Sequence, residues 1–143
     1  MRQMKKILWL TLLSLLLLSA GLACETENAD KPAPLTVTEA NSGESLELQQ
    51  GQQLIVRLPA NPSTGYAWAQ ADPGNSLLKE DNPSVFEQGL SGGNPPPAGA
   101  GGAEVFTLSS DSPGQQTLKL EYLRPWETGV PPANSVSYNV TVK

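Results

Sequence analysis

From Leu35 onward, hydrophobic and polar residues alternate in short runs that break repeatedly at Gly, Pro, Asn or Asp. Alternation with a period of two places one set of side chains on a buried face and the other in water, the mark of a half-buried β-strand. Leu35–Glu39 is the first such run. Ser45–Leu48 alternates cleanly, and Leu54–Leu58 follows after a turn at Gly51. Tyr66–Ala69 and the short run Val85–Glu87 come next. Ala103–Leu108 and Thr117–Leu123 are longer, and Ser135–Val142 puts Val136, Tyr138, Val140 and Val142 on one face. No segment in this part of the chain carries a helical period. Seven to eight short strands, with Gly and Pro concentrated between them, predict one all-β domain over residues 35–143, an antiparallel β-sandwich.

The first 23 residues follow a different pattern. Arg2, Lys5 and Lys6 precede an apolar run from Ile7 to Ala23, and small residues stand at Gly21 and Ala23. This is the layout of a secretory signal peptide. An uncleaved anchor is the alternative, although the run is shorter than the roughly 20 residues of a spanning helix. Cys24, the only cysteine, falls directly after the small residues. That placement predicts a lipidated cysteine, and hence a membrane-anchored lipoprotein facing the periplasm or cell exterior. Gly21 departs from the Leu usual in such a motif, and ordinary cleavage after Ala23 is the rival. Residues 24–34, polar and broken by Pro, read as a flexible tether.

Loss of the leader removes Arg2, Lys5 and Lys6 and leaves six basic residues against fourteen acids, a net charge of −8. Nucleic acid is therefore not an expected partner, because phosphate binding needs clustered Lys and Arg. The chain has no histidine, which excludes Ser-His-Asp and Cys-His catalysis and His-based zinc sites. One cysteine cannot build a thiolate metal site, and no phosphate-binding fingerprint is present. Adjacent acids such as Glu80 and Asp81 lie in a polar stretch and read as solvated surface. A monomeric binding protein without catalytic activity, metal or cofactor is the expected class.

Three segments between strands hold the candidate binding residues. Asn61-Pro62-Ser63-Thr64-Gly65-Tyr66 is a turn in which Pro62 restricts φ at itself and conformation at Asn61, while Gly65 permits positive φ. It predicts Ser63 and Thr64 at the tip with their hydroxyls outward, although the same residues form ordinary turns. Gly89–Gly102 is composed of small residues, Pro, Asn and one Leu, and reads either as a spacer or as an exposed loop. It ends in Gly99-Ala100-Gly101-Gly102, where backbone could approach a partner closely. Arg124-Pro125-Trp126 follows the strand at Thr117–Leu123. A Trp at a Pro-stiffened loop either packs back on the sandwich or anchors a partner, and Trp and Arg are enriched at binding hot spots.

Taken together, Asn61–Tyr66, Gly99–Gly102 and Arg124–Trp126 resemble, in order and spacing, the three motifs of the chagasin family of cysteine protease inhibitors. The resemblance extends from about residue 35 to the end of the chain. It implies an immunoglobulin-like sandwich whose three loops gather at one end and occlude the cleft of papain-like cysteine proteases, reversibly and without a covalent bond. By that likeness Ser63 and Thr64 approach the catalytic cysteine, Trp126 covers the primed side and the glycine loop the unprimed subsites. Ser63 stands where the family often has Thr. An exported adhesive or glycan-binding module, with Trp126 as a sugar platform, is the alternative function.

Overall fold

The structure is a computed structural model and describes residues 31–89 and 97–143. The leader, Cys24 and most of the tether lie outside the described residues, as does the middle of the Gly/Pro loop.

Among the described residues there are nine strands: β1 (Leu35–Thr38), β2 (Ser45–Leu48), β3 (Leu54–Ala60), β4 (Ala67–Gln70), β5 (Lys79–Glu80), β6 (Val85–Gln88), β7 (Gly102–Ser109), β8 (Gly114–Leu123) and β9 (Asn134–Val142). Eight lie where alternation predicts them, with ends shifted by no more than a few residues. The ninth, β5, is two exposed residues long, too short to carry a period. One sheet runs β1-β3-β7-β5, with β6 also pairing β7; the other runs β2-β9-β8-β4. Their inner faces form the core of a β-sandwich.

Most pairings are antiparallel, but β1–β3 and β2–β9 are parallel. For β1–β3 the reason is the route of the chain. β1, β2 and β3 lie in alternate sheets, so consecutive strands face each other across the core instead of sharing hydrogen bonds. Each chain reversal then brings β1 beside the strand two steps further on, which runs in its own direction.

The core is made by the inward half of each alternation. Leu54, Val56 and Leu58 of β3, Phe106 and Leu108 of β7, Leu118 and Leu120 of β8, and Val136, Tyr138 and Val140 of β9 are all buried. Each such side chain contributes about 1.5–3 kcal/mol by leaving water. Two polar ends in this core are satisfied: Trp68 Nε1 donates to Pro59 O at 2.9 Å, and Tyr138 Oη donates to Thr38 O at 2.8 Å. Burial, with a smaller effect from the charge of Glu39, pushes the Tyr138 phenol up to about 12.

The acids at 80 and 81 have structural partners. Glu80 accepts from Gln70 Nε2 at 3.2 Å. Asp81 accepts from Ser109 Oγ and from Gln53 Nε2, tying three segments of one sheet together. Those two bonds hold its carboxyl below the usual value.

Candidate functional site

Three loops leave the same end of the sandwich, as the register requires. Ala60, the last residue of β3, pairs with Gly102, the first of β7, and Ala67 of β4 pairs with Leu123 of β8. The β3–β4 loop (61–66), the end of the β6–β7 loop (97–101) and the β8–β9 loop (124–133) therefore emerge side by side.

The first loop is a 3-10 turn over Pro62–Thr64, capped at both ends. Asn61 is its N-cap. Its Oδ1 accepts from Ser63 N at 3.1 Å and from Ser63 Oγ at 2.6 Å. Its carbonyl accepts from Thr64 N at 3.1 Å and from Thr64 Oγ1 at 2.7 Å. Gly65 closes the turn at φ +79°, the left-handed conformation that its lack of a side chain permits. Ser63 and Thr64 are exposed at the tip as expected, but their hydroxyls do not point outward as free donors. Both donate back to Asn61, because a tight turn brings short hydroxyl side chains within reach of the capping residue. What the tip offers a partner is their oxygen lone pairs and apolar edges.

Asn61 also joins the second loop to the first: its Nδ2 donates to Gly99 O at 3.2 Å. A Cβ on Gly99 would lie 3.8 Å from Ser63 Oγ, so the two loops are in close proximity. Ala100 N donates to Pro97 O at 3.1 Å and rounds off this turn. Gly102 departs from the expected loop. It is a strand residue, wedged against β6 so tightly that a Cβ there would overlap the Glu87 carbonyl oxygen. Its glycine is needed for strand packing within the domain.

In the third loop Trp126 is 66% exposed, one of four large hydrophobic residues exposed among those described. Its ring leans over the first loop, and a Cβ on Gly65 would stand 2.6 Å from Trp126 Cη2 and 3.0 Å from Cζ2. Arg124 behaves differently. Its guanidinium lies 4.5 Å from the centroid of the Tyr66 ring and bonds Glu127 Oε1 at 3.1 Å. Glu127 N donates to Arg124 O at 3.0 Å, so Pro125 and Trp126 form the crown of a closed turn. The cation of Arg124 is thus paired within the loop, with its side chain still partly exposed. Its Nε is buried without a hydrogen-bond partner, beside the ring it covers.

Beneath the loops, aromatic rings continue into the core. Tyr66 stacks on Tyr122 with centroids 5.3 Å apart, and Tyr122 meets the buried Trp68 at 5.1 Å. Tyr122 is a residue that motif reasoning passes over. Its parity with the inward-facing Leu118 and Leu120 marks it as the last inner position of β8. The sequence carries no sign of what its hydroxyl meets. Among the described residues the loop tips carry no histidine, cysteine or carboxylate beyond Glu127, which pairs with Arg124; the cluster is a hydrogen-bonded projection suited to filling a cleft.

The fold and this loop cluster define a binding protein, and comparison with known proteins supplies its family. The sequence profile described as chagasin family peptidase inhibitor I42 matches residues 47–142. Chagasin of Trypanosoma cruzi is 33% identical over 115 residues, covering 75% of this chain and 94% of that protein. Amoebiasin-2 of Entamoeba histolytica is 30% identical over 110 residues, covering 75% of this chain and 84% of that protein. The crystal structure of a cysteine protease inhibitor from Entamoeba histolytica aligns with a TM-score of 0.66 at 26% identity, over 80% of this chain and 98% of that one. The chain belongs to the chagasin family of peptidase inhibitors. It is an inhibitor and not an enzyme.

Proposed function

We propose that this protein inhibits papain-like cysteine proteases reversibly, by filling the active-site cleft with the loops at 61–66, 97–101 and 124–126. The Entamoeba histolytica structure named as a cysteine protease inhibitor supports the target class. The observation that carries the mechanism is the internal hydrogen bonding of the first loop. A protease cuts a peptide that lies extended and presents a free carbonyl to the thiolate and the oxyanion donors. Here the Asn61 and Pro62 carbonyls accept from Thr64 and Gly65 within the turn. The tip enters the cleft coiled, with two of its carbonyls already engaged, so it occupies the substrate's space without being a substrate. Trp126 supplies a large apolar surface to bury beside it. Because the loops are tied to one another before binding, docking orders few groups, which favours affinity.

Titration of the purified domain into a papain assay tests this reading. Inhibition should be reversible, and papain with its catalytic Cys changed to Ala should bind within about tenfold of the active enzyme, or ~1.4 kcal/mol. A covalent adduct, or cleavage within Asn61–Tyr66 at the rate of an ordinary substrate, would refute it.

For location, we infer that the chain is exported and held at the membrane by lipid on the Cys24 thiol, with the polar residues after it as a tether. The support is the apolar leader and the position of the lone cysteine behind it. Cys24→Ser should move the protein from the membrane fraction to the soluble exported fraction. A wild-type protein already soluble after export would overturn the assignment.

A further inference from the structure

We propose that Tyr122 is a positioning residue for inhibition: its hydroxyl sets the register of the three loops before a protease is met. The inference rests on the inhibitor reading above and adds a residue outside the three motifs. Tyr122 Oη accepts from Asn61 N at 3.0 Å, a bond across 61 residues of sequence between β8 and the first residue after β3. Asn61 is the common partner of the other loop bonds, since its side chain and carbonyl hold Ser63, Thr64 and Gly99. Where the Asn61 backbone sits therefore decides where both the turn tip and the glycine loop sit.

The phenol itself has little freedom. Its ring packs against Trp68, which is 4% exposed and pinned to Pro59 O. It also stacks on Tyr66, which in turn lies under the Arg124 guanidinium. The column Trp68–Tyr122–Tyr66–Arg124 thus runs from the core to the base of the third loop, and the Tyr122 hydroxyl branches from it to the first. A rigid core is linked through one ring to all three loops. Side chains whose rotamers are locked by packing are the ones able to hold a binding constellation to sub-ångström tolerance.

The kinetic consequence is specific. Without the hydroxyl, the Asn61 amide loses its partner and the loops sample other arrangements, so only a fraction of molecules is ready to bind. The cost falls on association. Once docked, the protease itself holds the turn, and dissociation stays as in the wild type. A residue touching the protease directly would behave the opposite way, because lost contacts appear in the dissociation rate.

The test uses Tyr122→Phe, which keeps the ring stack, with papain as the probe and wild-type protein alongside. The proposal expects inhibition weakened about five- to tenfold, entirely in the association rate. It expects faster hydrogen exchange at the Asn61 amide and an unchanged effect of Trp126→Ala when the two substitutions are combined. Equal association rates for Tyr122→Phe and wild type would overturn it while leaving the inhibitor reading intact. A loss carried by faster dissociation would overturn it as well. Failure of the wild type to inhibit papain would instead refute the inhibitor reading. Should the variant fold poorly, exchange on the wild-type chain decides: an Asn61 amide as unprotected as an exposed loop amide removes the proposed bond.

Discussion

Adding one methyl group at Gly65 perturbs two things at once, and the structure separates them. The first is the backbone. At φ +79° any L-residue pays for a Cβ crowded against its own carbonyl, about 1–2 kcal/mol. The second is the Trp126 ring, whose Cη2 and Cζ2 lie 2.6 and 3.0 Å from the new carbon. A Cβ does not sit closer than about 3 Å to a non-bonded carbon, so something must move. Trp126 is exposed and its ring is the free end of a side chain, so the ring swings away at little cost to the fold. Gly65→Ala should therefore lower stability by about 1–2 kcal/mol, the backbone cost alone. Affinity falls for a different reason: the displaced Trp126 no longer meets its partner as it does in the wild type, and a hot-spot aromatic is worth ~2–4 kcal/mol. Loss of half that, ~1–2 kcal/mol, is about five- to thirtyfold in inhibition constant. The assay is inhibition of papain measured in wild type, Gly65→Ala, Trp126→Ala and the double variant, with folding checked by thermal unfolding. The two losses should be non-additive, because both remove the same contact. A folded Gly65→Ala that inhibits like the wild type would refute the reasoning, and so would full additivity.

Trp126→Ala by itself should cost ~2–4 kcal/mol of binding and leave the thermal transition almost unmoved, since the side chain is mostly in water; a variant that unfolds easily yet binds normally would make Trp126 a packing residue. The buried Tyr138 predicts an alkaline limit to stability. Its phenol is raised to about 12 from 10, so the folded state favours the neutral form. That contribution is complete below pH 10 and declines as pH climbs from 10 to 12. Unfolding titrations at pH 9 and 11.5 should show the loss, and Tyr138→Phe should flatten it. Asp81 works in the opposite sense: its lowered pKa gives stability that is present above about pH 4 and is lost as pH falls. Asp81→Asn should make acid unfolding less steep.

Much of this protein is legible in its sequence. Period-two alternation reports directly on strands, because successive side chains must face opposite sides of a pleated sheet. Eight of the nine strands were readable this way, together with the inward set of Leu, Val and Tyr residues that forms the core. Pro62 and Gly65 announced a turn with one left-handed residue, since both act through their own backbone. The three motifs and their order pointed to the family. Tertiary structure alone decided which neighbours each motif residue meets. Arg124 reads as an anchor for a partner, and in the fold its guanidinium pairs with Glu127 and lies over the Tyr66 ring. Gly102 reads as loop and is packed strand, and the hydroxyls of Ser63 and Thr64 turn inward to Asn61. The parallel β1–β3 edge came from a chain that alternates between sheets, which no local pattern encodes. Tyr122 shows the division most clearly. Its ring follows from alternation along β8, while its hydroxyl matters through Asn61, 61 residues away. Periodicity and turn chemistry act between neighbours in the chain. A hydrogen bond between distant segments depends on where the fold brings them together.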